Sequence, residues 1–227
     1  MHWLLILALV VLIVGGPQWW VQRVLNRYSG VREDIPGTGG ELAEHLLKRL
    51  ELTGVTLVGD GEADHYDPIN KQVCLTPRVH DQRSLTAVVV AAHEVGHALQ
   101  DASGYAPLIW RTRLAKIVMT LEKFSGILLI AIPVVMLLTR LPQSGLLMLL
   151  MIIGSTVGAV ILSLITLPVE FDASFNRALP LLKAGNYVSA SDQKAAHKIL
   201  TACAMTYVAA SLVSLLNAGR WLRYLRR

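Results

Sequence analysis

The sequence has little cysteine and no evident repeat or low-complexity segment. Its 227 residues include two cysteines, Cys74 and Cys203, which lie far apart and form no Cys-x-x-Cys pair. A disulfide framework and a zinc site built from thiolates are therefore excluded, and both cysteines are predicted to be reduced and buried. The lack of an internal repeat likewise excludes a repeat architecture.

The sequence also lacks one long stripe of basic residues, although its formal net charge is +5 at pH 7. Its lysines and arginines gather beside apolar runs instead. Nucleic acid is therefore excluded as the expected partner, because its recognition needs clustered basic residues on one face. Anionic lipid head groups are the partner that this charge pattern favours.

Apolar residues are what the sequence has in abundance. They make up 53% of the chain, and its mean hydropathy is +0.49, both above the values of an ordinary soluble domain. Three apolar runs predict membrane spans at residues 3–16, 124–139 and 144–167, and residues 199–218 are left open as a fourth. The first run is predicted to be an uncleaved anchor, because no Lys or Arg precedes it and no signal-peptidase site follows it.

The region between the first two runs has ordinary polarity and is long enough for a catalytic unit. Helical spacing of leucines predicts a helix over residues 40–52, and short strands are predicted at 55–58 and 71–75. The predicted organisation is a membrane helix at 1–22, a catalytic region at 23–123, a membrane hairpin at 124–167, a helix and loop at 168–198, and an apolar helix with a basic tail at 199–227.

The stretch from Ser84 to Gly104 contains the residues that carry chemistry. Ser84 can cap a helix that continues without proline as far as the turn at Gly104. Within it stands the sequence His-Glu-Val-Gly-His, at residues 93–97. On a helix, His93 and His97 point the same way, so both imidazoles can reach one metal ion at about 2.0 to 2.1 Å.

Glu94 follows the first histidine and need not bind the metal itself. In the predicted mechanism zinc polarises the scissile carbonyl and lowers the pKa of water, while Glu94 takes the proton of the water and later delivers one to the leaving amine. A chance match on a buried helix is the alternative. We reject it, because a buried Glu94 amid valines and alanines would be costly without a compensating cation.

A catalytic zinc site needs a third protein ligand. Metzincins place glycine and histidine three and six residues after the second histidine, and Gln100 and Ser103 stand there, so that subclass is excluded. The carboxylate candidates are Asp101, Glu170 and Asp172. Spacing favours Glu170 with Asp172 next, since Asp101 is displaced along the helix axis, but the residues alone leave the choice open.

Four motifs resemble those of YugP-type neutral zinc metallopeptidases, membrane proteins related to the HtpX-type and CAAX-prenyl endopeptidases of the gluzincin clan. They are AAHEVGHALQ, DHYDP at 64–68, VCLTP at 73–77 and PVEFDAS at 168–174. The resemblance implies one zinc ion per chain with Glu170 as its third ligand. The chain departs from the HtpX-like E-x-x-A-D pattern by having Ser174 in the last position, so Asp172 is the candidate for the orienting role of that aspartate.

The resemblance also suggests an edge strand beside the cleft, formed by Val73, Cys74 and Leu75, along which an extended substrate would lie. Further candidates for oxyanion stabilisation or for orienting the ligands are His65, Tyr66, Asp172 and Arg177.

The predicted fold is mainly α and integral to the membrane, with three to four membrane helices and a small α+β zincin-like unit that carries the HExxH helix. The predicted function is zinc-dependent hydrolysis of peptide bonds in membrane or juxtamembrane proteins, for quality control or processing. The resemblance implies a bacterial inner membrane, and positive charges beside the apolar runs predict that the active site lies on its cytoplasmic face. A zinc-stabilised membrane scaffold without catalysis is the alternative. Expected partners are protein or peptide substrates and the lipid bilayer, with a homo-oligomer or a regulatory membrane partner left open.

Overall fold

The structure is a computed structural model that describes residues 2–139 and 143–206. It is mainly helical with one small sheet, in agreement with that part of the predicted fold class. The elements in chain order are α1 (His2–Arg27), α2 (Gly39–Arg49), β1 (Thr56–Val58), β2 (His65–Asp67), β3 (Gln72–Cys74), α3 (Pro77–His80), α4 (Leu85–Ala102), α5 (Ala106–Thr139), α6 (Gln143–Phe171), a π-helical segment (Asp172–Ala178), α7 (Leu179–Ala184) and α8 (193–206).

Helix α4 is the central element of the core. It begins where Ser84 accepts a hydrogen bond from the backbone N–H of Ala87, and the chain turns after it at Gly104, whose φ of +64° suits glycine. All residues from Leu85 to Ala98 are buried, because α4 packs against α2, α3, the sheet, the π-helical segment and α7. The helix predicted between Ser84 and Gly104 is confirmed.

Helix α2 lies directly on α4 and is held at its start by a capping box. The side chain of Thr38 accepts from the backbone N–H of Glu41, and the Glu41 carboxylate accepts from the backbone N–H of Thr38. Its apolar face, with Leu42, Leu46 and Leu47, is buried. This face closes one side of the core and confirms the helix predicted from the leucine spacing.

The sheet has the strand order β1-β3-β2, with β1 parallel and β2 antiparallel to β3. The two predicted strands are confirmed as β1 and β3, whereas β2 was not predicted as a strand. The prediction of an edge strand at Val73, Cys74 and Leu75 is wrong. Val73 pairs with Leu57 on one side and Tyr66 on the other, so its backbone hydrogen bonds are used within the sheet.

The predicted membrane spans at 3–16, 124–139 and 144–167 are wrong. In the part of the chain that the structure describes, no helix is both long enough and apolar enough to cross a membrane. A crossing helix needs about 20 consecutive apolar residues, whereas the runs at 3–16 and 124–139 hold 14 and 16 residues. The integral membrane class is thereby overturned, and the predicted cytoplasmic placement of the site loses the spans on which it depended.

The last turn of helix α6 contributes to the functional site. The third apolar run was predicted to end at residue 167, where Pro168 follows, but Pro168 lies inside α6, which continues to Phe171. The π-helical segment follows without a break, and the backbone N–H of Leu179 bonds to the carbonyl of Ser174, five residues earlier. Such segments are rare and often occur at functional sites.

Helix α8 closes the core on the side of the π-helical segment. Its residues Ile199, Leu200 and Cys203 are buried in the same cluster as α4. The question of a fourth span at 199–218 and the fate of the basic tail fall largely on residues 207–227, outside the described part of the chain.

Candidate metal centre

Helix α4 presents His93 and His97 on one face, one turn apart. Their ring centroids are 4.7 Å from each other, and both side chains are almost wholly buried. The two Nε2 atoms face the same carboxylate oxygen, Oε2 of Glu170, at 3.2 Å from His93 and 3.4 Å from His97. Helical spacing therefore brings the two imidazoles to a common point, as the sequence predicted.

Glu170 comes from the last turn of α6 and is 1% exposed. One ligand atom from each of His93, His97 and Glu170 lies within 4.8 Å of the others. The structure thus brings together the three residues that were predicted as ligands, and it places Asp101 and Asp172 outside this cluster.

A buried oxygen atom without a partner tests whether this cluster suits a metal. Among the described residues, Oε1 of Glu170 has no hydrogen-bond partner. Burying a carboxylate oxygen in this way is costly unless a cation compensates for it. Two imidazole nitrogens and one carboxylate are a donor set typical of catalytic zinc sites, so the three residues fit a zinc ion.

Gln100 and Ser174 contact the ring nitrogens that face away from the cluster. Nδ1 of His97 lies 2.9 Å from Oε1 of Gln100, and Nδ1 of His93 lies 3.1 Å from Oγ of Ser174. The sequence analysis missed both contacts. Gln100 follows His97 by three residues and was used only to exclude metzincins, while Ser174, the residue that departs from the E-x-x-A-D pattern, itself contacts a predicted ligand.

Charges and burial act against each other within the cluster. Burial raises the pKa of Glu94, opposed in part by the neighbouring histidines. Burial also raises the pKa of Glu170, but the two imidazoles outweigh it and leave that pKa well below its usual range. Burial lowers the pKa of His97, and the charge of Glu170 more than reverses this. The site therefore favours the ionised carboxylate of Glu170.

A cavity of about 730 Å³ opens onto the cluster. Glu94 lines it together with the three candidate ligands, so a substrate in the cavity would meet all four side chains. Cys203 also lines the cavity, where burial raises the pKa of its thiol well above the usual range, and it is not among the residues whose ligand atoms converge.

The other predicted site residues lie around the cavity in different ways. His65 is exposed on β2 and lines the cavity, with Nδ1 bonded to the carbonyl of Ala63 at 3.0 Å. Tyr66 also lines it, but its hydroxyl donates to Asp101 at 2.6 Å. Burial and this hydrogen bond raise the pKa of Tyr66, so it stays protonated.

Asp172 and Arg177 form an ion pair on the π-helical segment. Nε of Arg177 donates to Oδ2 of Asp172 at 2.8 Å, and its guanidinium lies over the ring of Tyr105 at 5.6 Å from the centroid. Oδ2 of Asp172 also accepts from Nε2 of Gln100 at 2.8 Å. Asp172 is thus connected to the candidate ligand His97 through Gln100. This position is compatible with the orienting role for which Asp172 was a candidate.

Comparisons with known proteins agree with this centre. A family described as "Putative neutral zinc metallopeptidase" matches residues 3–226. The "Putative membrane protease YugP" of Bacillus subtilis (strain 168) is 36% identical over 206 residues, which cover 90% of this chain and 88% of that protein. No solved structure matches the chain. The likeness seen in four motifs therefore extends over nearly the whole sequence, and zinc is the cofactor that the family and the buried cluster both indicate.

Proposed function

The chain belongs to the family of neutral zinc metallopeptidases, and from this premise we propose that it is an endopeptidase that hydrolyses protein substrates. His93, His97 and Glu170 are its zinc ligands in this proposal, and Glu94 is its general base. One observation carries the proposal: three ligand atoms converge within 4.8 Å on the wall of a cavity that Glu94 also lines.

Bound zinc would supply the Lewis acid that polarises the scissile carbonyl and makes water acidic enough to react near neutral pH. Glu94 is placed to take a proton from the attacking water and to deliver one to the leaving amine. Burial raises its pKa, which makes its carboxylate a stronger base than an exposed glutamate. Hydrolysis in this scheme needs no covalent intermediate with the protein.

The edge of the sheet offers a place for an extended substrate. Strand β2 is an outer strand, and its residues His65 and Tyr66 line the cavity beside Glu94. A substrate segment can add to β2 through backbone hydrogen bonds, with its alternate side chains directed into the cavity. The sequence predicted this substrate-binding role for β3. Because β3 is the central strand of the sheet, we assign the role to β2 instead.

A second cavity of about 360 Å³ adjoins the first and shares Gln22, Leu25 and Asp64 with it. It extends past Asn26 to Arg78, whose guanidinium donates to the Asn26 side chain at 2.9 Å. The two cavities together have a larger volume than one substrate side chain requires. They support an endopeptidase that binds several substrate residues in preference to a dipeptidase.

We further infer that the substrates are membrane-associated proteins. The name of the Bacillus subtilis relative calls that protein a membrane protease. Helices α1, α5 and α6 of this chain carry large exposed apolar side chains, including Trp19, Trp110, Phe124 and Leu164. Exposed apolar surface of this kind is typical of protein or membrane interaction sites.

The test compares wild type with Glu94→Gln, and Glu44→Gln serves as a control on an exposed glutamate of α2. Zinc content and cleavage of an unfolded protein such as casein are measured for each. We expect all three proteins to bind about one zinc ion, and Glu94→Gln alone to lose cleavage, by at least about a hundredfold. Equal cleavage by wild type and Glu94→Gln would remove Glu94 from the mechanism.

A scaffold that holds zinc without catalysis is less well supported. A structural zinc site is closed by four protein ligands, whereas the described residues place three at this centre and leave a cavity beside them. The same experiment separates the two functions. Zinc binding by every variant, with no cleavage of any casein or membrane-protein substrate by wild type, would favour the scaffold.

A further inference from the structure

The side chain of Gln100 lies at the centre of a hydrogen-bond network that joins α4 to the segment carrying Glu170. It is 0% exposed. Its Oε1 lies 2.9 Å from Nδ1 of His97, and its Nε2 lies 2.8 Å from both the carbonyl oxygen of Val169 and Oδ2 of Asp172. Every hydrogen-bonding atom of the amide therefore has a partner.

These partners leave one orientation for the amide. The carbonyl of Val169 and the ionised carboxylate of Asp172 can only accept hydrogen bonds, so the group that faces them must be the NH₂. The carbonyl oxygen of the Gln100 amide must then face His97. The orientation thus follows from the chemistry of the partners and does not depend on telling nitrogen from oxygen.

The orientation of the amide decides where His97 carries its proton. Oε1 of Gln100 can only accept, so Nδ1 of His97 must donate and holds the hydrogen. In the neutral imidazole the other nitrogen, Nε2, then has a free lone pair, and Nε2 is the atom that faces Glu170 at 3.4 Å. Hydrogen bonds of this kind commonly fix the tautomer and ring orientation of metal-binding histidines.

The other half of the amide holds the segment that supplies the carboxylate. Val169 precedes Glu170 directly, and Asp172 follows it by two residues. Asp172 is held in turn by Arg177 at 2.8 Å and by Asn176 at 3.0 Å. Gln100 therefore bonds on both sides of Glu170, to residues 69 and 72 positions away in the chain.

We propose that Gln100 is a positioning residue that sets the distance and orientation between two zinc ligands, His97 on α4 and Glu170 on α6. It acts on His97 through Oε1 and on the Glu170 segment through Nε2. The inference rests on the proposed zinc site, but it concerns metal binding and requires no peptidase activity. Loss of its hydrogen bonds should weaken zinc binding by about 10- to 100-fold, the range found for groups that orient metal ligands.

The first test uses Gln100→Met, which keeps the length of the side chain but makes none of these hydrogen bonds. Thr166→Val is the matched control. Thr166 lies on α6 and is buried like Gln100, but its hydroxyl bonds to the backbone carbonyl of Leu162 and to none of the three candidate zinc ligands. Zinc affinity is measured by competition with a chelator. The visible spectrum of Co²⁺ bound in place of zinc reports the coordination geometry.

We expect Gln100→Met to bind zinc at least about 10-fold more weakly than wild type and to show a changed Co²⁺ spectrum. Thr166→Val should keep both properties of the wild type while losing some stability to urea. The inference is overturned if Gln100→Met loses stability as the control does but keeps the zinc affinity and the Co²⁺ spectrum of the wild type.

A second test exchanges donor and acceptor and remains decisive if Gln100→Met does not fold. Gln100→Glu still offers an oxygen to His97 but sets a carboxylate against Asp172, so zinc binding should weaken by about 10-fold. Adding Asp172→Asn restores a donor opposite that carboxylate. The carbonyl of Val169 still faces the carboxylate in the double variant, so recovery should be partial. The double variant should bind zinc at least about threefold more tightly than Gln100→Glu alone, and no recovery would overturn the inference.

The two proposals fail in different ways. Absence of stoichiometric zinc in the wild type would remove the proposed zinc peptidase function and this inference together. Tight zinc binding by wild type, Gln100→Met and Gln100→Glu alike would remove the role of Gln100 and leave the proposed function untouched.

Discussion

Gly96 on the histidine helix α4 lies close against the backbone of Ala173, in the segment that follows Glu170. A Cβ atom at Gly96 would lie 2.8 Å from the carbonyl oxygen of Ala173, a separation that real Cβ atoms essentially never show. Gly96 stands between the two histidines of α4, and Ala173 follows Glu170 by three residues. The absence of a side chain at 96 therefore sets how near Glu170 can come to His93 and His97.

Gly96→Ala should push α4 and the π-helical segment apart. Alanine favours a helix by about 1 kcal/mol over glycine, but overpacking against backbone costs about 1 to 3 kcal/mol. We expect lower stability to urea and weaker zinc binding. Gly54→Ala is the control, since a Cβ at Gly54 meets nothing within 4 Å. Equal zinc affinity in both variants would show that the site tolerates the separation.

Ser174→Ala should disturb His93 in particular. Oγ of Ser174 lies 3.1 Å from Nδ1 of His93 and donates to the carbonyl of Leu200 at 3.2 Å. Its loss removes the contact to Nδ1 of the buried His93, at about 1 to 3 kcal/mol in unfolding free energy. Zinc affinity, measured by chelator competition, should fall as well.

Ser103→Ala is the control for that change, because the Ser103 hydroxyl is at the exposed end of α4 and water can replace it. The Ser103→Ala protein should keep the stability and the zinc affinity of the wild type. A Ser174→Ala protein that loses stability but keeps full zinc affinity would limit Ser174 to a structural role.

Removing zinc should destabilise the folded protein. Without the ion, the buried Glu170 keeps one oxygen that has no hydrogen-bond partner among the described residues. Zinc at 100 times its dissociation constant should stabilise the fold by about 2.7 kcal/mol. Thermal unfolding with EDTA and with added zinc measures this, and Glu170→Gln should lose most of the zinc-dependent shift. A melting temperature of the wild type that zinc leaves unchanged would contradict the site.

The Arg32–Asp192 pair should make stability depend on pH in the acid range. Both oxygens of Asp192 accept from the guanidinium of Arg32 at 2.9 Å, and these bonds lower the pKa of Asp192 below its usual value. Its contribution is therefore complete above the pKa of an unfolded aspartate, about 3.9. It is lost as the pH falls through the lower pKa of the folded protein.

Asp192→Asn tests this pair by urea unfolding at several pH values. The variant should be less stable than wild type by about 1 kcal/mol or less at pH 7, since the pair is partly exposed. The difference should vanish at the acid end, where Asp192 is protonated in both folded and unfolded chains. A difference that stays constant down to that pH would show that the contribution is not electrostatic.

Local features of the chain were predictable because short-range physical chemistry decides them. Helix α4 begins at a Ser84 cap and turns at Gly104, and His93 and His97 share a face because the helical repeat places them four residues apart. Helix α2 and strands β1 and β3 follow from their apolar spacing. Pro168 did not act as expected, since α6 continues through it.

Strand pairing and membrane class were not predictable in the same way. Which strand lies at the edge depends on pairing between distant segments, and β2 took the position predicted for β3. Three apolar runs predicted spans, yet within the described residues no helix is long and apolar enough to cross a membrane. An apolar run in the sequence does not by itself fix the length and apolar content of the helix that contains it.

The sequence by itself determined the chemistry that is available: two histidines and a glutamate on one helix, a second glutamate downstream, and a likeness to zinc peptidases that nearly the whole chain bears out. Only the tertiary structure decided that Glu170 meets His93 and His97, and that Gln100 joins the two segments. The physical reason is distance along the chain. Helical periodicity relates residues three or four apart, whereas contacts across some seventy residues depend on how whole elements pack.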